Sequence, residues 1–143
     1  MESVSLSRTI QAPEPVLREQ ITDLQPFMEA AGFDEVWVDG DRIEIDNSVG
    51  LLTIELKLRC IETDGVLAYE QVEGIFETME TRYTLTEEDG STTVTATTDF
   101  ALDVGLVGPI LDGTIIARQR KKELSSQFDY LDDVAATHDS GES

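Results

Sequence analysis

The middle of the chain alternates apolar and polar residues. Its clearest stretch is Leu51–Glu62, where one side of the alternation is apolar: Leu52, Ile54, Leu56, Leu58 and Cys60. Successive side chains of a strand point to opposite faces, so this period predicts a strand with one buried and one solvated face. Ser91–Leu102 repeats the pattern, and its predicted inward residues are Val94, Ala96, Thr98 and Phe100.

The segment between these two strands has a less regular pattern. Gly74 interrupts the run Val66–Leu85 and permits a bend or bulge. The residues after it that share the predicted inward face are Met79, Thr81, Tyr83 and Leu85. Periodicity alone leaves the inward face of Val66–Val72 open, and Tyr69 is assigned to it as a hypothesis.

Two short helices are predicted between the first strand and this meander. Ser3–Ile10 alternates as a strand does. Prolines at the start of the next segment fit the first turn of a helix, and a second short helix is expected over Pro26–Ala31, ending at Gly32. From Glu35 onward, turn signals rich in Asp, Asn and Gly separate the strands, which predicts an antiparallel meander.

One long amphipathic helix is predicted beyond Gly108, over roughly 25 residues. Its stripe at spacings of three and four residues comprises Ile110, Thr114, Ala117, Lys121, Leu124, Phe128 and Leu131. The bulky residues should seal the helix against the sheet, whereas the small Thr114 and Ala117 would leave room for a cavity. We expect a single domain over residues 1–134 and a polar, frayed tail over residues 135–143.

The charge of the chain is strongly negative. Its 143 residues contain 30 acidic and 10 basic side chains, for a formal charge of -20. This argues against nucleic acid as a partner. In molar salt the Debye length falls to about 3 Å, so the repulsion between the acidic residues is screened. The composition therefore favours a salt-loving cytoplasm, with an ordinary acidic protein as the alternative.

No apolar run long enough for a membrane span and no signal-peptide pattern is present, so a cytoplasmic location without membrane insertion is expected.

Few residues are candidates for catalysis. The single Cys60 has no histidine partner, since the single His138 falls in the predicted tail, which argues against a nucleophilic triad. No metal site and no cofactor is predicted. Glu70 and Glu77 are more simply surface charges, but an inward carboxylate at either position would have a raised pKa and could act as a general acid or base.

Four basic residues fall together in the predicted long helix: Arg118, Arg120, Lys121 and Lys122. A solvated helix face paired with neighbouring acids is the simpler interpretation. In the functional interpretation, Lys121 or Arg118 lies at the mouth of a cavity and holds an anionic head group while its aliphatic stem packs.

The order of elements resembles the helix-grip fold of the Bet v 1-like superfamily, also called the START or SRPBCC group. The stretch that is similar to polyketide cyclase/dehydrase and coenzyme-Q-binding members includes Gly74-Ile75-Phe76, Met79, Arg82-Tyr83, Gly90, Thr93-Val94-Thr95, Phe100, Leu102 and Gly105-Leu106-Val107-Gly108. The resemblance implies an α+β fold in which a seven-stranded antiparallel sheet curves around the C-terminal helix and encloses a cavity. Tyr83 stands where the family often has tryptophan.

Taken together, these patterns predict a protein that binds or transports a hydrophobic small molecule, such as a lipid, an isoprenoid quinone or a polyketide-like ring system. A cyclase- or hydratase-like enzyme in the same cavity is the alternative, and a homodimer is left open. The predicted ligand-binding residues are Leu56, Leu58, Tyr69, Met79, Tyr83, Ala96, Thr98, Phe100, Thr114, Ala117 and Lys121.

Overall fold

In the part of the chain that the structure describes, seven strands and three helices follow one another in the predicted order. The computed structural model describes residues 1–49, 51–103 and 113–142, with side chains as far as Thr137. The elements are β1 (Glu2–Ile10), α1 (Glu14–Thr22), α2 (Leu24–Glu29), β2 (Glu35–Asp39), β3 (Arg42–Val49), β4 (Leu52–Cys60), β5 (Leu67–Glu73), β6 (Phe76–Glu88), β7 (Ser91–Leu102) and α3 (Gly113–Glu142).

The strands form one antiparallel sheet in the order β1-β7-β6-β5-β4-β3-β2. Strands β2 to β7 are a meander, and β1 pairs with β7, so that β1 and β2 are the two edges. The two short helices connect these edge strands, and α3 follows β7. This is the predicted helix-grip topology, with the long helix packed on one face of the sheet.

The apolar side of each predicted alternation is the buried one. Val94, Ala96 and Phe100 of β7 are fully buried, and Leu58 of β4 is 1% exposed. Tyr69 is also 1% exposed, which decides the face of β5 that periodicity had left open. A one-residue shift in register would have exposed every one of these side chains, so the buried pattern fixes the pairing.

The second half of α3 seals the helix against the sheet as predicted. Leu124, Phe128 and Leu131 are fully buried. Arg8 of β1 lies over the ring of Phe128, 5.7 Å from its centroid, and donates a hydrogen bond of 2.6 Å to Asp129, so the contact joins helix and sheet. Cation–π and ion-pair contacts of this kind each add modest stability.

The helix also extends past the predicted boundary at residue 134. It continues to Glu142, whereas a frayed polar tail was expected from Ala135 onward. Ala135 is 4% exposed and lies one turn beyond Leu131, on the same buried face. An apolar contact and the high helix propensity of alanine therefore extend the helix into the polar segment.

Within the described residues, no helix is long and apolar enough to cross a membrane.

Candidate ligand-binding cavity

A mainly apolar cavity lies between the inner face of the sheet and the first half of α3. Its volume is about 50 Å³ for the centres of water-sized atoms, within about 560 Å³ of open space that includes solvent at the mouth. One enclosed water needs about 10–15 Å³ by this measure, so the cavity holds a small cluster of atoms without rearrangement. Its apolar wall is formed by Phe33, Ile45, Val49, Ile54, Leu56, Leu58, Ile75, Phe76, Met79, Phe100 and Ile116.

The structure brings part of the predicted site together on this wall. The predicted residues that line the cavity are Leu56, Leu58, Tyr69, Met79, Thr98 and Phe100. All of them come from the inner faces of four adjacent strands, and alternation placed all of them there except Tyr69, which was assigned as a hypothesis. The pattern of the sheet was thus a sufficient guide to this side of the cavity.

Tyr83 and Ala96 are fully buried but lie off the cavity wall. The Tyr83 hydroxyl donates a hydrogen bond of 2.6 Å to Oε1 of Gln127, and its ring packs edge-on against Phe27, with 5.3 Å between centroids. Burial raises the pKa of Tyr83 well above its ordinary value of 10. The Tyr83 hydroxyl therefore has its hydrogen-bond acceptor on α3 and not in the cavity.

The three predicted residues of α3 are also misplaced. Thr114 and Lys121 are exposed, and Ala117 is half-buried outside the cavity lining. The helix residues that face the cavity are Ile116, Gln119, Arg120 and Glu123. At the cavity end of α3 the inward residues Ile116 and Arg120 precede the predicted Ala117 and Lys121 by one position, which is about 100° of helix rotation. Hydrophobic periodicity does not show this face, because Arg120 is buried through its pairing with Glu123.

Arg120 is the central polar residue of the cavity wall and is 8% exposed. Its Nε donates to Thr98 Oγ1 at 2.9 Å, and its Nη1 donates to Glu123 Oε1 at 3.0 Å. Its Nη2 donates to the Tyr69 hydroxyl oxygen at 2.6 Å and to Thr81 Oγ1 at 3.4 Å. Desolvation lowers the pKa of Arg120, but attraction to Tyr69, Tyr83 and Glu123 outweighs it and raises the pKa above its ordinary value. The guanidinium group is therefore permanently charged.

Glu123 neutralises this buried cation. Its Oε1 accepts the bond from Arg120, and its Oε2 accepts bonds from Asn47 Nδ2 at 3.1 Å and from Gln119 Nε2 at 3.2 Å. The carboxylate is 7% exposed, so these bonds replace the water that it loses on burial. We refer to the following residues as the polar cluster: Asn47, Tyr69, Thr98, Arg120 and Glu123.

The carboxylates singled out from the sequence lie elsewhere. Glu70 is on the outer face of the sheet and forms an ion pair with Arg59 at 2.5 Å, and Glu77 is exposed. The inward carboxylate is Glu123, three residues after Arg120. A sequence signal for it existed in Asn47, a polar residue in an otherwise apolar alternation on β3, which indicates a buried polar partner.

Comparisons with known proteins agree with the fold. A START superfamily protein from Mycobacterium smegmatis superposes with a TM-score of 0.74 at 11% identity, covering 94% of this chain and 97% of the other. Ara h 8.0201 gives a TM-score of 0.68 at 14% identity, with 95% and 98% covered. The Zhui aromatase/cyclase from Streptomyces sp. R1128 gives 0.67 at 17% identity, with 96% and 92% covered.

The sequence matches no protein-family model and no curated protein. At the identities of the structural matches, similarity establishes the fold alone. The chain has the helix-grip fold of Bet v 1-like and START proteins, as the resemblance implied. The comparisons support the fold, and the polar cluster is described from the structure of this chain alone.

Proposed function

We propose that this protein binds a small, largely apolar molecule between the sheet and α3. The observation that carries the proposal is the cavity itself, an apolar wall interrupted by one buried polar cluster. Ligand sites in proteins typically combine mostly apolar walls with a few polar groups that fix orientation. The similar solved structures include an aromatase/cyclase, which supports the proposal that the ligand contains a ring.

Burial is the proposed source of affinity. Apolar surface removed from water contributes roughly 25 cal/mol per Å². The present cavity suits a single ring or a similar compact group. A longer molecule, such as an isoprenoid quinone, would place its ring in the cavity and extend its chain through the cavity's opening to solvent.

Binding without chemical conversion fits the polar cluster better than acid–base catalysis does. From the sequence, an inward carboxylate was the group that could act as a general acid or base. Glu123 is inward, but both of its oxygens accept hydrogen bonds from neighbouring side chains, and Tyr83 is bound to Gln127. A general base acts on a substrate proton within hydrogen-bond reach, whereas the bonds from Arg120, Asn47 and Gln119 give the Glu123 carboxylate a structural role in the polar cluster.

Native mass spectrometry of protein purified from its own host at high salt tests the proposal. We expect a bound small molecule that is released chemically unchanged. Leu56→Trp should abolish the added mass because the larger side chain fills the cavity, whereas Leu51→Trp, the same substitution at a fully exposed leucine, should retain it. A wild-type protein that is always empty, or a molecule retained equally by Leu56→Trp, would contradict the proposal.

A further inference from the structure

The hydroxyl hydrogen of Tyr69 has no good acceptor among the described residues. The Tyr69 oxygen already accepts a hydrogen bond from Arg120 at 2.6 Å. The remaining neighbour is the Tyr83 oxygen at 3.5 Å, which is long for a bond between hydroxyl groups, whose usual range is about 2.5–3.0 Å. Tyr83 itself donates to Gln127, so it does not need Tyr69 as an acceptor.

Tyr69 is also a strengthened donor. Its oxygen receives a charge-assisted hydrogen bond from the guanidinium group of Arg120, which polarises the O–H bond. Tyr69 forms part of the cavity wall, and its side chain is almost fully buried. The cavity thus contains a hydroxyl donor, Tyr69, that lacks a well-placed hydrogen-bond acceptor among the described residues.

The same cluster disfavours a negatively charged ligand. Arg120 and Glu123 are the charged residues among those that line the cavity, and they form a buried ion pair of 3.0 Å. An added carboxylate would be a second buried anion beside Glu123, without a second cation to neutralise it. The formal charge of -20 on the chain further opposes an approaching anion at low salt.

We infer that the cavity selects uncharged ligands that carry a carbonyl or ether-type oxygen, and that this oxygen accepts a hydrogen bond from Tyr69. This rests on the proposed function, since it requires that the cavity bind an apolar molecule. A ring ketone or quinone has the required chemistry, and a fatty acid or a phosphate ester does not.

Three single-ring probes separate the possibilities: ethylbenzene, acetophenone and benzoate. Binding is followed in molar KCl by the NMR shifts of the Ile54 and Ile116 methyl groups, both of which line the cavity. One net hydrogen bond is worth about 1 kcal/mol, so acetophenone should bind roughly five- to tenfold more tightly than ethylbenzene. Benzoate should give no saturable shift.

Two matched variants assign the effect to Tyr69. Tyr69→Phe should lose the preference for acetophenone over ethylbenzene. Tyr83→Phe removes the neighbouring buried hydroxyl, which lies off the cavity wall, and should keep the preference. Glu123→Gln leaves the charge of Arg120 unbalanced and should create measurable binding of benzoate.

The outcomes distinguish this inference from the proposed function. If ethylbenzene binds but acetophenone binds no better, or if wild-type protein binds benzoate more tightly than acetophenone, the selectivity is overturned while the binding function survives. If Tyr69→Phe keeps the preference, the donor is another group and the inference is wrong. If none of the three probes binds, the proposed function fails and the inference fails with it.

Discussion

At the scale of single residues, the Arg120–Glu123 pair is the feature of the cavity that departs most from an apolar core. Both residues are more than nine-tenths buried, and each forms hydrogen bonds with the other and with uncharged neighbours. Burying two ions is costly, and the cost is balanced only while both partners remain. The pair is therefore a point where a single substitution should have a large effect.

Arg120→Met is expected to lower the free energy of unfolding by about 3–5 kcal/mol, because it leaves the Glu123 carboxylate buried without a counter-charge. Arg120→Met combined with Glu123→Met should recover most of this loss, because the buried charge is then removed. Denaturant titration in molar KCl measures both variants. A double variant as unstable as the single one would show that the pair itself, and not the uncompensated charge, supplies the stability.

The buried hydroxyl of Tyr83 should make stability depend on alkaline pH. Its pKa is raised in the folded state, so the folded protein holds this proton more tightly than the unfolded chain does. The contribution is fully present below the unfolded pKa of about 10 and is lost as pH rises beyond it, with a limiting slope of about 1.4 kcal/mol per pH unit. Tyr83→Phe should show a shallower decline between pH 10 and 11, and equal slopes would contradict this prediction.

At the scale of elements, the sheet could be predicted from the sequence and the inner face of α3 only in part. Alternation is a strong signal on β4 and β7, where every inward position is apolar or a small hydroxyl residue. The sealing end of α3 was equally clear from Leu124 and Phe128. The cavity end was not, because hydrophobic periodicity cannot identify charged residues that are buried through mutual pairing and hydrogen bonds to other strands.

The corrected face of α3 separates two adjacent basic residues. Lys121 is exposed, whereas Arg120 faces the cavity. Charge reversal by Lys121→Glu should leave the affinity for acetophenone unchanged within twofold, measured in molar KCl to screen the change in long-range field. A tenfold or greater loss of affinity would instead support the functional interpretation, in which Lys121 lies at the mouth of the cavity.

At the scale of the whole molecule, the charge of -20 should govern stability in dilute buffer. Raising KCl from about 0.1 M to 1 M shortens the Debye length from about 10 Å to about 3 Å, which screens repulsion between surface carboxylates. We expect the melting temperature to rise by several degrees over this range. Thermal unfolding followed by circular dichroism measures it.

A neutralised variant provides the control for this salt effect. Glu44, Glu55 and Glu77 are exposed and form no ion pair with another described residue, so changing all three to glutamine removes charge without breaking a contact of that kind. The variant should be more stable than wild type in dilute buffer and should respond less to KCl. An equal response in both proteins would mean that salt acts through another mechanism, such as strengthening of the hydrophobic effect.

The central claim is that an apolar molecule occupies the space between the sheet and α3, and methyl NMR during titration with ethylbenzene tests it most directly. Ile45, Ile54 and Ile116 line the cavity, whereas Ile10 and Ile21 are buried elsewhere and provide an internal reference. The account predicts saturable shifts of the isoleucine methyl groups that line the cavity and no shift of Ile10 or Ile21. Shifts that do not saturate, or that affect Ile10 and Ile21 equally, would contradict it.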